Sequence, residues 1–127
     1  GGAIVHVGSA SGIRPAAGAA AYSTSKAALR MLVRTAAKEC RDAQLAIRIN
    51  VASPAGVKTP MWSTMPFFQE LVRAHGSEDA AYAAMEASGG GRFIEPEEVA
   101  AALVWLAGPA SSGVTGADVA VDGGLAL

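Results

Sequence analysis

Three short apolar runs, Ile4–Val7, Ala46–Ala52 and Asp118–Val121, alternate with longer segments of helical period. This alternation constrains the fold more than any single residue does. Ile4-Val5-His6-Val7 is almost continuously apolar and stops at Gly8-Ser9, which predicts a strand covered on both faces, as in a parallel sheet. The second run stops likewise at Ser53-Pro54-Ala55-Gly56, and the third at Asp122-Gly123-Gly124. Between the first two runs, Leu29, Leu32, Val33, Ala36, Ala37 and Cys40 recur at three-and-four spacing. They predict a helix from Tyr22 to about Cys40 with this stripe buried. A last helix is marked by Pro96 in its first turn, Glu97 and Glu98 at its positive dipole end, and Gly108-Pro109 as its stop. Val99, Ala102, Leu103 and Leu106 form its buried stripe. Strand, helix, strand, helix, strand is the signature of an α/β parallel sheet.

Three parallel strands leave one apolar sheet edge unpaired. The expected architecture is therefore part of a larger doubly wound sheet, three parallel strands with flanking helices. The chain of 127 residues begins without Met and almost inside a strand, which gives the expectation of a missing beginning. Residues 60–92 carry two short helical candidates and a flexible Ser88-Gly89-Gly90-Gly91 stretch.

At 51% hydrophobic residues and a net charge of −1, the chain can bury a core and is not disordered. Its charge offers no electrostatic basis for a nucleic-acid or membrane-surface partner. The basic residues Arg30, Arg34, Lys38, Arg41 and Arg48, with Glu39 and Asp42 among them, read as a solvated face. The single cysteine, Cys40, excludes an internal disulfide and fits a reducing compartment. It lies on an apolar stripe and reads as an inert buried thiol. No signal peptide is visible, and no run approaches the ~20 apolar residues of a membrane span. The expected location is cytoplasmic.

Tyr22 and Lys26 stand four positions apart, neighbours on one helical face. A free phenol, with a pKa of about 10, is a poor base at neutral pH, and a nearby ammonium favours its phenolate. Such a pair can move a proton to or from an alcohol. Alone, the spacing is weak evidence, since an interfacial tyrosine beside a solvated lysine is common. Ser9 strengthens it. It follows the first buried strand at its carboxyl end, where sites in open α/β sheets lie, and a hydroxyl there can donate to a substrate oxygen. A rival reading of residues 7–13 as a Gly-rich phosphate turn fails: its third glycine would fall at Arg14, and Pro15 follows at once. His6 and His75 are isolated; His6 reads as a structural core residue and His75 as a surface one, and no metal cluster can be assembled.

Ile4-Val5-His6-Val7-Gly8-Ser9-Ala10-Ser11-Gly12, followed by Tyr22-x-x-x-Lys26, resembles the active-site segment of the short-chain dehydrogenase/reductase family. Asn50-x-x-x-Pro54, Thr59, Pro96-Glu97-Glu98-Val99-Ala100, Thr115-Gly116 and Val121-Asp122-Gly123-Gly124 continue the match in order over nearly the whole chain. The resemblance implies a Rossmann-like fold of which residues 1–127 are the C-terminal catalytic half, with a substrate loop at about 60–92. It implies Tyr22 as acid/base, Lys26 as its partner and a ligand of the nicotinamide ribose, and Ser9 as the group that polarises the carbonyl. Pro54, Ala55, Gly56, Val57 and Thr59 would border the nicotinamide, the Val57 backbone and Thr59 hydroxyl addressing its carboxamide. Ser9, Ala10, Met61, Trp62 and Met65 would border the substrate, and Phe67 and Phe68 add to the apolar character of that loop.

The implied reaction is interconversion of a secondary alcohol and a ketone with NAD or NADP. The apolar loop is longer than in the family's acyl-carrier-protein reductases and suits a small hydrophobic or cyclic substrate. Two departures stand out: Ala55 occupies a position usually held by Gly, and His6 one often held by Asn. The family's Gly-rich turn, its NAD/NADP-selecting residue and its active-site Asn are not among these residues. Two readings follow: an oxidoreductase whose nucleotide-binding half lies elsewhere, this chain alone being inactive, or a dehydrogenase-like half that acts as an interaction or complementing module. The family implies a homo-oligomer; the missing half is the other partner expected.

Overall fold

The computed structural model describes residues 1–127. Strands β1 (Gly2–Val7), β2 (Ile47–Pro54) and β3 (Asp118–Val121) run parallel in the order β1-β2-β3. Val7 lies opposite Ala52, and Pro54 opposite Val121. The carboxyl ends of all three strands therefore meet along one rim. Five helices complete the chain: α1 (Ala20–Asp42), α2 (Pro60–Ser63), α3 (Pro66–His75), α4 (Glu78–Met85) and α5 (Pro96–Ala107). The three-stranded parallel α/β sheet expected from the apolar runs is present.

The central strand β2 is buried from Ile49 to Pro54. Val33 and Ala37 of α1 pack on Ile49 and Val51, with Ala36 and Cys40 at the margin. Leu32 departs from the expected stripe and is 58% exposed, because three strands cover only a narrow part of the helix surface. The same geometry explains β1. It has one neighbour, so Ile4 and Val7 are about half exposed where a strand covered on both faces was expected.

Residues 60–92 hold three helices, one more than the periodicity suggested. Each has its own start signal: Pro60 and Pro66 open α2 and α3, and the Ser77 hydroxyl accepts the Ala80 N–H at 3.1 Å to cap α4. A wide π-type turn, Glu86–Gly90, follows. Phe68, Ala81, Tyr82 and Phe93 form a second core here, bordered by Trp62 and Met65.

Two arginines assigned to a solvated face are structural instead. Arg30 pairs with Asp118. Arg48 donates to the carbonyls of Leu106 and Gly108 at 3.0 Å each and of Val114 at 3.2 Å, closing the end of α5. A β-strand arginine next to an apolar run signals such a role only when the facing helix end is known. Arg48→Met strands those acceptors and is expected to destabilise the fold by about 2 kcal/mol, read as a lower urea midpoint at unchanged slope.

The start of α5 is a capping box: the Glu95 N–H donates to Glu98 at 2.9 Å. Arg92 donates to both Glu98 oxygens, at 2.7 and 2.9 Å. The guanidinium, then the backbone N–H, holds the Glu98 carboxyl at about 2. Because this pKa is lowered on folding, its stabilisation is full above the unfolded value of ~4.3 and is lost as pH falls toward 2. Glu98→Gln is expected to flatten the acid limb of the stability curve between those pH values, as followed by circular dichroism.

Candidate active site

The rim formed by the strand ends opens into one cleft of about 840 Å³. Ser9 sits there because β1 ends at Val7 and the chain turns at once into a single 3-10 turn, Ala10–Gly12. Its hydroxyl oxygen accepts the Ser11 N–H at 3.1 Å, which fixes the rotamer and leaves the hydroxyl proton free to donate into the cleft. Ser9 and Ala10 are both buried.

Tyr22 and Lys26 reach the same cleft from the first turns of α1. The Lys26 ammonium lies 5.7 Å from the centre of the Tyr22 ring and donates to the Val7 carbonyl at 2.9 Å. That bond ties the lysine to the end of the strand that carries Ser9. Two ammonium protons remain for other acceptors. Tyr22 is half exposed.

At the end of β2 and just past it, Pro54, Ala55, Gly56, Val57 and Thr59 also line the cleft. This turn is pinned by a short parallel bridge: Ile94 N–H donates to the Gly56 carbonyl at 2.8 Å, and Lys58 N–H to the Ile94 carbonyl at 3.0 Å. Gly56 is required by close approach, since a Cβ there would lie 2.7 Å from the Phe93 ring. Ala55 is accommodated, its N–H donating to the Val121 carbonyl at 3.2 Å. The Val57 carbonyl accepts the Trp62 indole N–H at 2.7 Å, which leaves the Val57 N–H as the backbone group with no partner. That N–H makes no bond within the chain, and the Thr59 hydroxyl does not cap α2. An unpaired donor beside an unpaired hydroxyl fits a carboxamide.

Met61, Trp62 and Met65 form the apolar wall. Phe67 and Phe68 do not join it: Phe68 is fully buried in the second core and Phe67 faces solvent, because successive residues of α3 point to different sides. Sequence reasoning missed Arg14, Met85, Gly89, Gly90, Phe93 and Leu125, all of which line the cleft. Leu125 arrives because the Asp122 carboxylate accepts the N–H groups of Gly124 and Ala126 at 2.9 Å each, turning the chain back. The Val121-Asp122-Gly123-Gly124 motif carried that signal. Arg14 and Lys26 are the charged residues of the lining. The second tyrosine, Tyr82, is no rival proton carrier. Burial pushes its phenol up, with Glu78 adding to the effect.

The family model described as enoyl-(acyl carrier protein) reductase matches residues 1–126. The chain belongs to the short-chain dehydrogenase/reductase family. As a member of that family it is 39% identical to a short-chain dehydrogenase/reductase of Aspergillus oryzae over 127 residues, covering 100% of this chain and 45% of the relative. It is 37% identical to the 3-oxoacyl-(acyl-carrier-protein) reductase of Thermotoga maritima, over 99% of this chain and 46% of that protein. The crystal structure of L-sorbose reductase from Gluconobacter frateurii with NADPH and L-sorbose superposes with a TM-score of 0.83 at 30% identity, over 98% of this chain and 47% of that one. Its fold is thus a Rossmann-type sheet, and the chain spans about half the length of the curated relatives it matches. No helix is long and apolar enough to cross a membrane.

Proposed function

We propose that residues 1–127 form the catalytic half of a Rossmann-type dehydrogenase domain that interconverts a secondary alcohol and a ketone with NAD or NADP. The observation that carries this reading is the convergence of Ser9, Tyr22 and Lys26 on the cleft that Val57 and Thr59, with their unpaired N–H and hydroxyl, also line. When bound, the nicotinamide supplies or accepts the hydride. Ser9 donates its free proton to the substrate oxygen and holds it toward Tyr22. The Tyr22 hydroxyl delivers the proton in reduction and receives it in oxidation. Lys26 meets the negative charge that develops on that oxygen and offers its remaining protons to the ribose hydroxyls. Val57 and Thr59 hold the carboxamide. The apolar wall of Met61, Trp62 and Met65 supports a hydrophobic or cyclic substrate.

The test uses the chain alone and the chain joined to the part of the Thermotoga maritima reductase that it does not match. Each is supplied with NADH or NADPH and cyclohexanone, β-tetralone or ethyl acetoacetate. Dinucleotide oxidation by the joined protein, lost in Ser9→Ala by about 100-fold, supports the proposal. A folded, dinucleotide-binding joined protein that reduces none of them overturns it. Steady turnover by the chain alone would overturn the expectation that these residues need a second half.

A second reading, a non-enzymatic complementing module, is favoured by the half-exposed Ile4 and Val7 on the open side of β1. It predicts that the separately expressed remainder of the Thermotoga maritima reductase forms a complex with the chain that is silent in the assay above.

A further inference from the structure

Ser9 and the Tyr22–Lys26 pair belong to different elements, a turn after β1 and the start of α1. One ion pair with a buried carboxylate joins them. Arg30, one helical turn beyond Lys26, donates to the Gly12 carbonyl at 2.9 Å, at the far end of the Ser9 turn. Its Nε pairs with an Asp118 oxygen. The second Asp118 oxygen accepts the Ser53 hydroxyl at 2.6 Å. The Asp118 side chain is only 9% exposed, and Ser53 is fully buried.

The turn is held at both ends by this group. Gly12 lies directly on α1: a Cβ there would be 2.8 Å from the Lys26 backbone carbon. Gly8 lies on Ser53: a Cβ there would be 2.5 Å from the Ser53 hydroxyl. Neither end of the turn can move without disturbing a partner of Asp118.

We propose that Arg30 and Asp118 are positioning residues that clasp the Ser9 turn against α1 and so set the separation of Ser9 from Tyr22. This rests on the proton-transfer reading above. An Asp118 carboxylate only 9% exposed, with hydrogen-bond partners on two elements, transmits displacement because the carboxylate itself has little solvent to fall back on. A misplacement of about 1 Å at a reacting centre costs up to roughly 100-fold in rate.

The variants are Arg30→Met, Asp118→Asn, their double, Arg30→Lys and Arg48→Met. Amide hydrogen exchange is read on the 127-residue chain, and kcat and KM on the joined protein with NADPH and β-tetralone. Arg30→Met and Asp118→Asn are each expected to speed exchange at Gly12 and Ile13 and to lower kcat roughly 10- to 100-fold. KM for NADPH stays within about twofold, since Val57, Thr59 and the bond that ties Lys26 to the Val7 carbonyl are untouched, and the double is no worse than the poorer single. Arg30→Lys recovers part of kcat. Arg48→Met lowers stability without these effects, which separates positioning from general weakening.

Unchanged exchange at Gly12 and Ile13 in both single variants overturns the clasp whether or not the protein is active. Faster exchange with unchanged kcat overturns the positioning role. A parent protein inactive toward every ketone sinks the proposed function, and the exchange data alone then decide the clasp.

Discussion

Tyr22→Phe in the joined protein is expected to reduce ketones roughly 1,000-fold more slowly than the parent, with dinucleotide affinity within a few-fold. The substitution removes one hydroxyl and keeps the ring. The ring is half exposed, so the fold loses almost nothing. Lys26 still donates to the Val7 carbonyl, and Ser9 still holds its rotamer through Ser11. What is lost is the proposed proton carrier, which water in the open cleft would replace poorly. Single-turnover assays separate this loss from slow product release. A rate within about threefold of the parent would remove Tyr22 from the reaction.

Phe68→Ala is expected to have the largest effect on stability, about 4 kcal/mol. Phe68 is fully buried and its ring lies 4.8 Å from Tyr82 and 6.2 Å from Trp62. Domains of this size are stable by only about 5–15 kcal/mol, so the loss leaves a protein close to its unfolding midpoint at ordinary temperature. The cleft suffers with it, since Trp62 and Phe93 stand on the same cluster. Urea denaturation followed by tryptophan fluorescence measures both. A cost under about 1 kcal/mol would mean that α3 and α4 melt independently of the sheet.

The parallel sheet was legible because its strands are short apolar runs with sharp Gly and Pro ends, alternating with longer segments of helical period. The convergence of the candidate site residues on one cleft was legible for a related reason. Ser9 is placed by the end of β1, and Tyr22 and Lys26 by helical spacing, so local pattern carries the geometry. The rest depended on contacts distant in sequence. Arg48 looks solvated until α5 and Val114 come to meet it. Leu32 looks buried until the width of the sheet is known. Phe68 and Met65 look alike in composition, yet Phe68 on α3 is core while Met65, in extended backbone just before that helix, lines the cleft. Phe93 and Leu125 enter the cleft from the far end of the chain, carried by a backbone bridge and an aspartate turn.

The contact between Gly56 and Phe93 limits how this pocket can be redesigned. Phe93 packs edge-on against Trp62, with ring centres 5.2 Å apart, and Trp62 in turn holds the Val57 carbonyl. Carving space for a bulkier substrate at either aromatic would loosen the turn proposed to border the nicotinamide. Altered selectivity would then come bundled with weaker dinucleotide retention. Met61, exposed on the same wall and outside that chain of contacts, is where a library aimed at substrate range alone should begin.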